Sequence, residues 1–146
     1  MIYHSTRGNC YRVDSAQAVL NGLAPDGGLY VPQSLPKIDV AACLQEDTFG
    51  MAKRIIGALL PDIENMEQLV ERAYRGKFQT DELTPTVDTG KFTVLELFRG
   101  PTSAFKDVAL CMLPQLLTAA RKQEGMEEDV LILTATSGDT GKAALA

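Results

Sequence analysis

Two short stretches of this chain hold residue types that could do chemistry. In Ser103-Ala104-Phe105-Lys106-Asp107 a lysine stands at the expected first turn of a mostly apolar helix. The positive end of the helix dipole and the loss of hydration both disfavour an ammonium there, and an uncharged amine is what Schiff-base formation requires. The same residues also fit a solvated lysine paired with Asp107, a common state for charged groups near helix ends. The second stretch, Thr136-Ser137-Gly138-Asp139-Thr140-Gly141, follows an apolar run and opens a helix. Its amide N–H groups and the Ser137 and Thr140 hydroxyls suit a carboxylate or phosphate. A plain tight turn fits those residues equally well. The loop is not of Walker A type, because Gly138 and Gly141 are too close and Ala143 follows Lys142, and it is not G-x-G-x-x-G either.

A third cluster, Ser5-Thr6-Arg7-Gly8, offers two hydroxyls and a guanidinium that could grip an anion or form a structural salt bridge. The single histidine, His4, reads as structural. The three cysteines, Cys10, Cys43 and Cys111, are far apart and never in a C-x-x-C pair. Neither a disulfide framework nor a metal site is expected, and reduced thiols in the cytoplasm are the simplest reading. With 14 Lys plus Arg against 19 Asp plus Glu and no basic block, nucleic acid is excluded as a partner. No apolar stretch approaches the roughly 20 residues that a bilayer needs, so no membrane association is expected. At 146 residues and 45% apolar content the chain can bury a core without staples.

These groups need elements to position them. Met1 to Thr6 reads as a short strand. Asp14 or Ser15 can cap a helix through Leu20 that Asn21-Gly22 closes, and Pro25-Asp26-Gly27-Gly28 is turn chemistry before a brief extended run. Apolar residues at helical spacing predict one helix from Asp47 or Thr48 to Leu60 and a second over Met66 to Tyr74. Thr86 to Asp88 and Phe92 to Phe98, around Thr89-Gly90, predict a hairpin. Thr102 or Ser103 is the expected N-cap of a helix from about Ala104 to Lys122 with Pro114 inside it, apolar on most faces and requiring burial on both sides. Val130 to Thr134 reads as a buried parallel strand, and a helix starts at Lys142. The expected class is α/β. Residues 1–95 form a small α+β domain, and residues 96–146 open an α/β domain. Ala146 falls about one turn into a helix, so the expectation is a piece of a longer chain. An apolar helix and an open strand edge favour self-association.

Four segments taken together resemble the threonine synthases: Tyr3 to Gly8, Gly22 to Pro32, Gly100 to Asp107 and Thr134 to Gly141, in that order and at similar separations. The resemblance covers the whole chain and matches the N-terminal part of that family, whose fold is that of the tryptophan synthase β-subunit (fold type II). It implies the start of a domain that binds pyridoxal 5'-phosphate. The activity it implies is a lyase converting O-phospho-L-homoserine and water to L-threonine and phosphate, the last step of threonine biosynthesis. Lys106 matches the lysine that holds the cofactor as a Schiff base and then moves protons at Cα and Cβ. Phe105 packs beside the cofactor, Asp139 falls beside its 3-hydroxyl, and Ser137, Gly138 and Thr140 match the loop for the substrate carboxylate. Asp107 orients the helix start.

In that family the glycine loop for the cofactor phosphate, and the Ser or Thr at the pyridine nitrogen, lie beyond position 146. The 146 residues alone are therefore expected to bind cofactor weakly and turn over nothing. Two other readings remain at this level: another lyase or dehydratase of the same fold, and a non-catalytic α+β interaction module. The Ser-Thr-Arg-Gly and Pro-Asp-Gly-Gly block favours threonine synthase over the first of these.

Overall fold

The structure, a computed structural model, describes residues 1–136 and 138–145 and, for Asn9 and Cys10, the backbone only. The readings placed on the Cys10 thiol, on Ser137 and on Ala146 lie outside the described residues. Two compact units are present: Met1–Glu67 with Leu116–Glu128, and Gln68–Gln115 with Asp129–Ala146.

In the first unit, strand β1 (Tyr3–Ser5) lies between β2 (Gly8–Val13) and β3 (Tyr30–Pro32), antiparallel to both. The predicted first strand is present. Strand β2 is not predicted by its sequence, because Gly8-Asn9 reads as a break; it forms because β1 supplies the ladder, with a register irregularity between His4 and Ser5. Helix α1 (Ser15–Asn21) starts where expected. Asp14 is its cap, accepting from the Gln17 amide, and Gly22 ends it at φ 65°. A short turn of helix, α2 (Val40–Cys43), is capped by Asp39. Helix α3 (Thr48–Leu59) is capped by Asp47 through the Gly50 amide, and α4 (Met66–Tyr74) follows.

The turn at Pro25 is knitted to β1 by polar groups. Ser5, 2% exposed, donates its hydroxyl to Asp26 Oδ1 at 2.6 Å and accepts from the Arg7 amide. The Gly28 amide donates to the same Asp26 oxygen, and Arg7 Nη1 donates to the Asp26 carbonyl. The Ser5 hydroxyl, with the Gly28 amide adding to it, holds the Asp26 carboxyl below the usual carboxylate range. A Cβ at Gly28 would stand 2.1 Å from Ser5 Oγ, so this approach needs glycine. In the Ser5 to Gly8 cluster, Ser5 and Thr6 are hydrogen-bonded to the turn and Arg7 donates to its backbone.

Asp62 does similar work at the other end of β1. Its carboxylate accepts from the Met1 ammonium and from the Ser15 amide and hydroxyl, while Tyr3 donates its phenol to the Leu59 carbonyl. Gln123 closes the same corner: its Nε2 donates to the Asp62 carbonyl and its Oε1 accepts from the Glu64 amide.

In the second unit, β4 (Thr86–Asp88) and β5 (Thr93–Leu95) form the predicted hairpin, shorter than the sequence suggests and exposed along both strands. Helix α5 is Asp107–Gln123 and runs through Pro114; its residues up to Gln115 belong to this unit and those from Leu116 on to the first. Cys111, Met112, Leu116 and Ala120 are buried, but Ala109 and Leu113 are exposed, so among the described residues one face is covered rather than two. The predicted buried strand Val130 to Thr134 is corrected. These residues take no strand pairing, and Leu131 and Leu133 are 81% and 85% exposed. A parallel strand gets its hydrogen bonds from its neighbours, and the described residues supply none beside it. Helix α6 (Asp139–Leu145) begins three residues before the predicted Lys142, because the Gly138 carbonyl already accepts from the Lys142 amide.

The Asp62 corner yields a test. The Met1 ammonium, followed by the Ser15 hydroxyl and amide, holds the Asp62 carboxyl below the usual range. Its contribution is therefore complete above the ordinary aspartate range and fades as pH falls through the lowered native value. Asp62→Ala should cost about 1–2 kcal/mol near neutral pH, a modest figure for a partly exposed group. In urea unfolding, the gap between wild type and variant should narrow between about pH 5 and about pH 3. A gap of constant size across that range would contradict the assignment.

Candidate functional site

The site is built on the segment from Glu96 to Asp107. Arg99 donates to Glu96 and to the Gln79 side chain, lies 5.2 Å from the Phe98 ring centroid, and its carbonyl accepts from the Gln79 amide. This fixes the chain as it enters Gly100. Beyond it, the chain closes on one buried carboxylate. Asp107, 1% exposed, accepts from the Thr102 amide at 2.8 Å on Oδ2 and from the Thr102 hydroxyl on Oδ1. A Cβ on Gly100 would meet Asp107 Oδ2 at 2.4 Å, so only glycine admits the carboxylate. Ser103 takes a left-handed φ of 59° to complete the loop.

Two expectations are corrected by this arrangement. Neither Thr102 nor Ser103 caps α5: the helix starts at Asp107, and its carboxylate reaches back to Thr102 instead. The alternative pairing of Lys106 with Asp107 is not formed either. Asp107 is spent on Thr102, which fits its reading as the residue that orients the helix start. Tyr74 adds a further tie, donating its hydroxyl to the Val108 carbonyl at 2.9 Å. Burial, with the Cys111 thiol nearby, pushes the Tyr74 phenol up to about 12, so it stays a donor at any physiological pH.

Lys106 is thereby left at the mouth of α5, half-buried. Its Nζ donates to Thr140 Oγ1 at 2.6 Å and lies 5.5 Å from the Phe105 ring centroid, while Phe105 itself is 62% exposed. The two stretches singled out by residue type are thus in contact through side chains 34 positions apart. Gly138 is exposed with φ 121°, a conformation suited to glycine, and Asp139 is exposed in the first turn of α6. An open cleft of about 390 Å³ is lined by Pro101, Thr102, Ser103, Lys142 and Leu145. Three contributors were not marked as functional by residue chemistry: Gly100, which admits the carboxylate; Thr102 in its role as the Asp107 partner; and Lys142, the cation on the cleft. A glycine followed by Pro-Thr and a carboxylate five residues after the threonine is the signal that could have revealed the first two.

Together these features define an α/β scaffold that presents a single lysine amine to a glycine loop. Comparison with known proteins places it further. The family described as "Threonine synthase N terminus" matches residues 2–74. Over 99% of its length the chain is 36% identical to a threonine synthase of Saccharomyces cerevisiae, and also 36% identical to the Homo sapiens protein named threonine synthase-like 2. A crystal structure of threonine synthase from Brucella melitensis with pyridoxal phosphate bound superposes with a TM-score of 0.88 at 38% identity, covering 99% of this chain and 32% of that one. This chain belongs to the threonine synthase N-terminus family, and its fold is the corresponding part of a fold type II enzyme. It spans about a third of the length of the curated relatives it matches.

The donor set suits an aromatic aldehyde carrying an anionic group. It offers the Lys106 amine, an exposed aromatic ring beside it, and a second lysine, Lys142, on an open cleft lined by the Pro101 to Ser103 segment.

The Gly100 approach can be tested directly. Gly100→Ala should lower stability by about 1–3 kcal/mol, because the methyl must displace a buried carboxylate that has two partners. Thermal unfolding followed by circular dichroism measures this, and a melting temperature equal to that of wild type would contradict the packing described.

Proposed function

We propose that this chain is the N-terminal region of a cytoplasmic threonine synthase, a pyridoxal-phosphate-dependent lyase acting on O-phospho-L-homoserine. The observation that carries the reading is the contact between Lys106 and Thr140, which joins the two motifs shared with the family. Residues 1–95 serve as the N-terminal domain and residues 96–146 begin the catalytic one. The comparison structure with bound cofactor supports pyridoxal phosphate as the group that Lys106 meets.

In this reading Lys106 holds the cofactor covalently through Nζ, Phe105 packs beside it, and Asp139 faces its 3-hydroxyl. Ser137, Gly138 and Thr140 bind the substrate carboxylate and so fix Cα with respect to Lys106. When bound, the cofactor ring supplies the sink for the electrons left on the substrate. Lys106 Nζ, when it is free and uncharged, would accept the proton from Cα and move protons at Cβ. Phosphate would leave from Cγ as Cβ loses a proton, Cγ would take up a proton to become the methyl group, and water would add at Cβ with a proton returned to Cα. Asp107, held by Thr102, keeps the start of α5 fixed so that the amine returns to the same place.

A second reading rests on the human relative, which is as similar as the yeast enzyme but carries a different name. It keeps Lys106 and the cofactor and changes the phosphorylated amino acid.

Pyridoxal phosphate followed by borohydride should add a phosphopyridoxyl mass to Lys106 in preference to the other lysines, and Lys106→Ala should abolish that preference. Equal labelling of all lysines would remove the cofactor reading. The 146-residue chain alone should release no phosphate from O-phospho-L-homoserine in a coupled assay, and turnover by it would refute the view that further residues complete the site.

A further inference from the structure

We propose that Thr140 is a positioning residue for Lys106: its hydroxyl parks the amine against α6 when no aldehyde is bound. This deepens the reading of Lys106 as the aldehyde-binding lysine and rests on it. A lysine side chain has four freely rotating bonds, and at a half-buried position it explores many rotamers unless something holds its end. Here two groups hold it. Thr140 Oγ1 accepts from Nζ at 2.6 Å, and the Phe105 ring attracts the same cation at 5.5 Å.

Thr140 is suited to this task by its side chain as well as its place. Its β-branch limits χ1 in a helix to two common rotamers, so Oγ1 samples few directions from α6. Asp107 is fully occupied by Thr102 and does not compete for the ammonium. While Nζ is an ammonium donating to Oγ1 it has no lone pair to attack a carbonyl. The amine must leave Thr140 and lose a proton before it reacts, so the threonine hydroxyl sets both where the nitrogen waits and how readily it is released.

The test uses formaldehyde with a borane reductant at a small fraction of the lysine concentration, which methylates amines without needing a cofactor site. Peptide mass spectrometry then gives the labelling of Lys106 relative to Lys91, an exposed lysine in the hairpin turn. In the wild-type chain this ratio should be below one. Thr140→Val, which keeps the shape and removes the acceptor, should raise it by about three- to tenfold, in line with loss of one charge-assisted hydrogen bond at a half-exposed site. Thr140→Ser should restore the wild-type ratio. Labelling of Lys142, on the same helix, should stay constant, whereas general loosening of α6 would raise it too.

An unchanged ratio in Thr140→Val overturns the proposal, as does a rise shared by Lys142. A wild-type ratio of one or more also overturns it, even where the valine variant does not fold. Because formaldehyde needs no pyridoxal phosphate site, failure of the cofactor to prefer Lys106 would sink the functional reading and leave this measurement intact.

Discussion

A buried carboxylate must be answered by donors, and the placement of the reactive lysine follows from how Asp107 meets that demand. An ionised group at 1% exposure is costly unless its oxygens are hydrogen-bonded. The nearest donors that leave α5 intact are the amide and hydroxyl of Thr102, so the chain from Gly100 to Asp107 closes into a loop around the carboxylate. That closure requires a residue without a Cβ at position 100 and a left-handed backbone at Ser103. Lys106 sits immediately before the anchor. Its backbone is fixed by a neighbour that takes no part in its own hydrogen bonding, and its side chain is free to point at Thr140.

The same device appears in the N-terminal unit with different residues. There the Asp26 carboxylate draws in the Ser5 hydroxyl and the Gly28 amide, and a Cβ at Gly28 would strike Ser5 Oγ. In both places a carboxylate is satisfied across a short loop and a glycine makes room for the approach. The consequence differs. At Asp26 the loop is locked to the central strand of a small sheet and the polar groups are consumed by structure. At Asp107 the lock leaves the neighbouring Lys106 amine to Thr140 rather than to the carboxylate.

Much of this was legible in the sequence, for reasons that can be named. Helices α1 and α3 have aspartate caps that accept from an amide three residues on, and α3 and α4 carry apolar residues at a helical period, so local chemistry and pattern agree there. Strand β2 was not legible, since Gly8-Asn9 signals a turn and only pairing with β1 makes the segment extended. The start of α5 was misplaced because Thr102 and Ser103 look like caps in isolation, whereas the buried Asp107 reaches back over them. Val130 to Thr134 failed for the opposite reason. Its apolar run promises burial, but a strand is a property of neighbours as well as of its own residues. Within the site, Lys106 and the 136–141 loop were marked by residue type and Phe105 by the family resemblance alone, while the contact between Lys106 and Thr140 depended on tertiary structure that no local pattern encodes.

Equal identity to a yeast threonine synthase and to a human protein named threonine synthase-like 2 separates two kinds of information in this chain. A scaffold that presents an amine to a glycine loop serves any amino acid that can be held by its carboxylate, because the groups that touch the amine and the carboxylate see what all such substrates share. Discrimination must come from groups that meet the side chain, and these differ in kind: a cation for a phosphate ester, apolar walls for a hydrocarbon. On this chain the open cleft is lined by both kinds, Thr102, Ser103 and Lys142 together with Pro101 and Leu145.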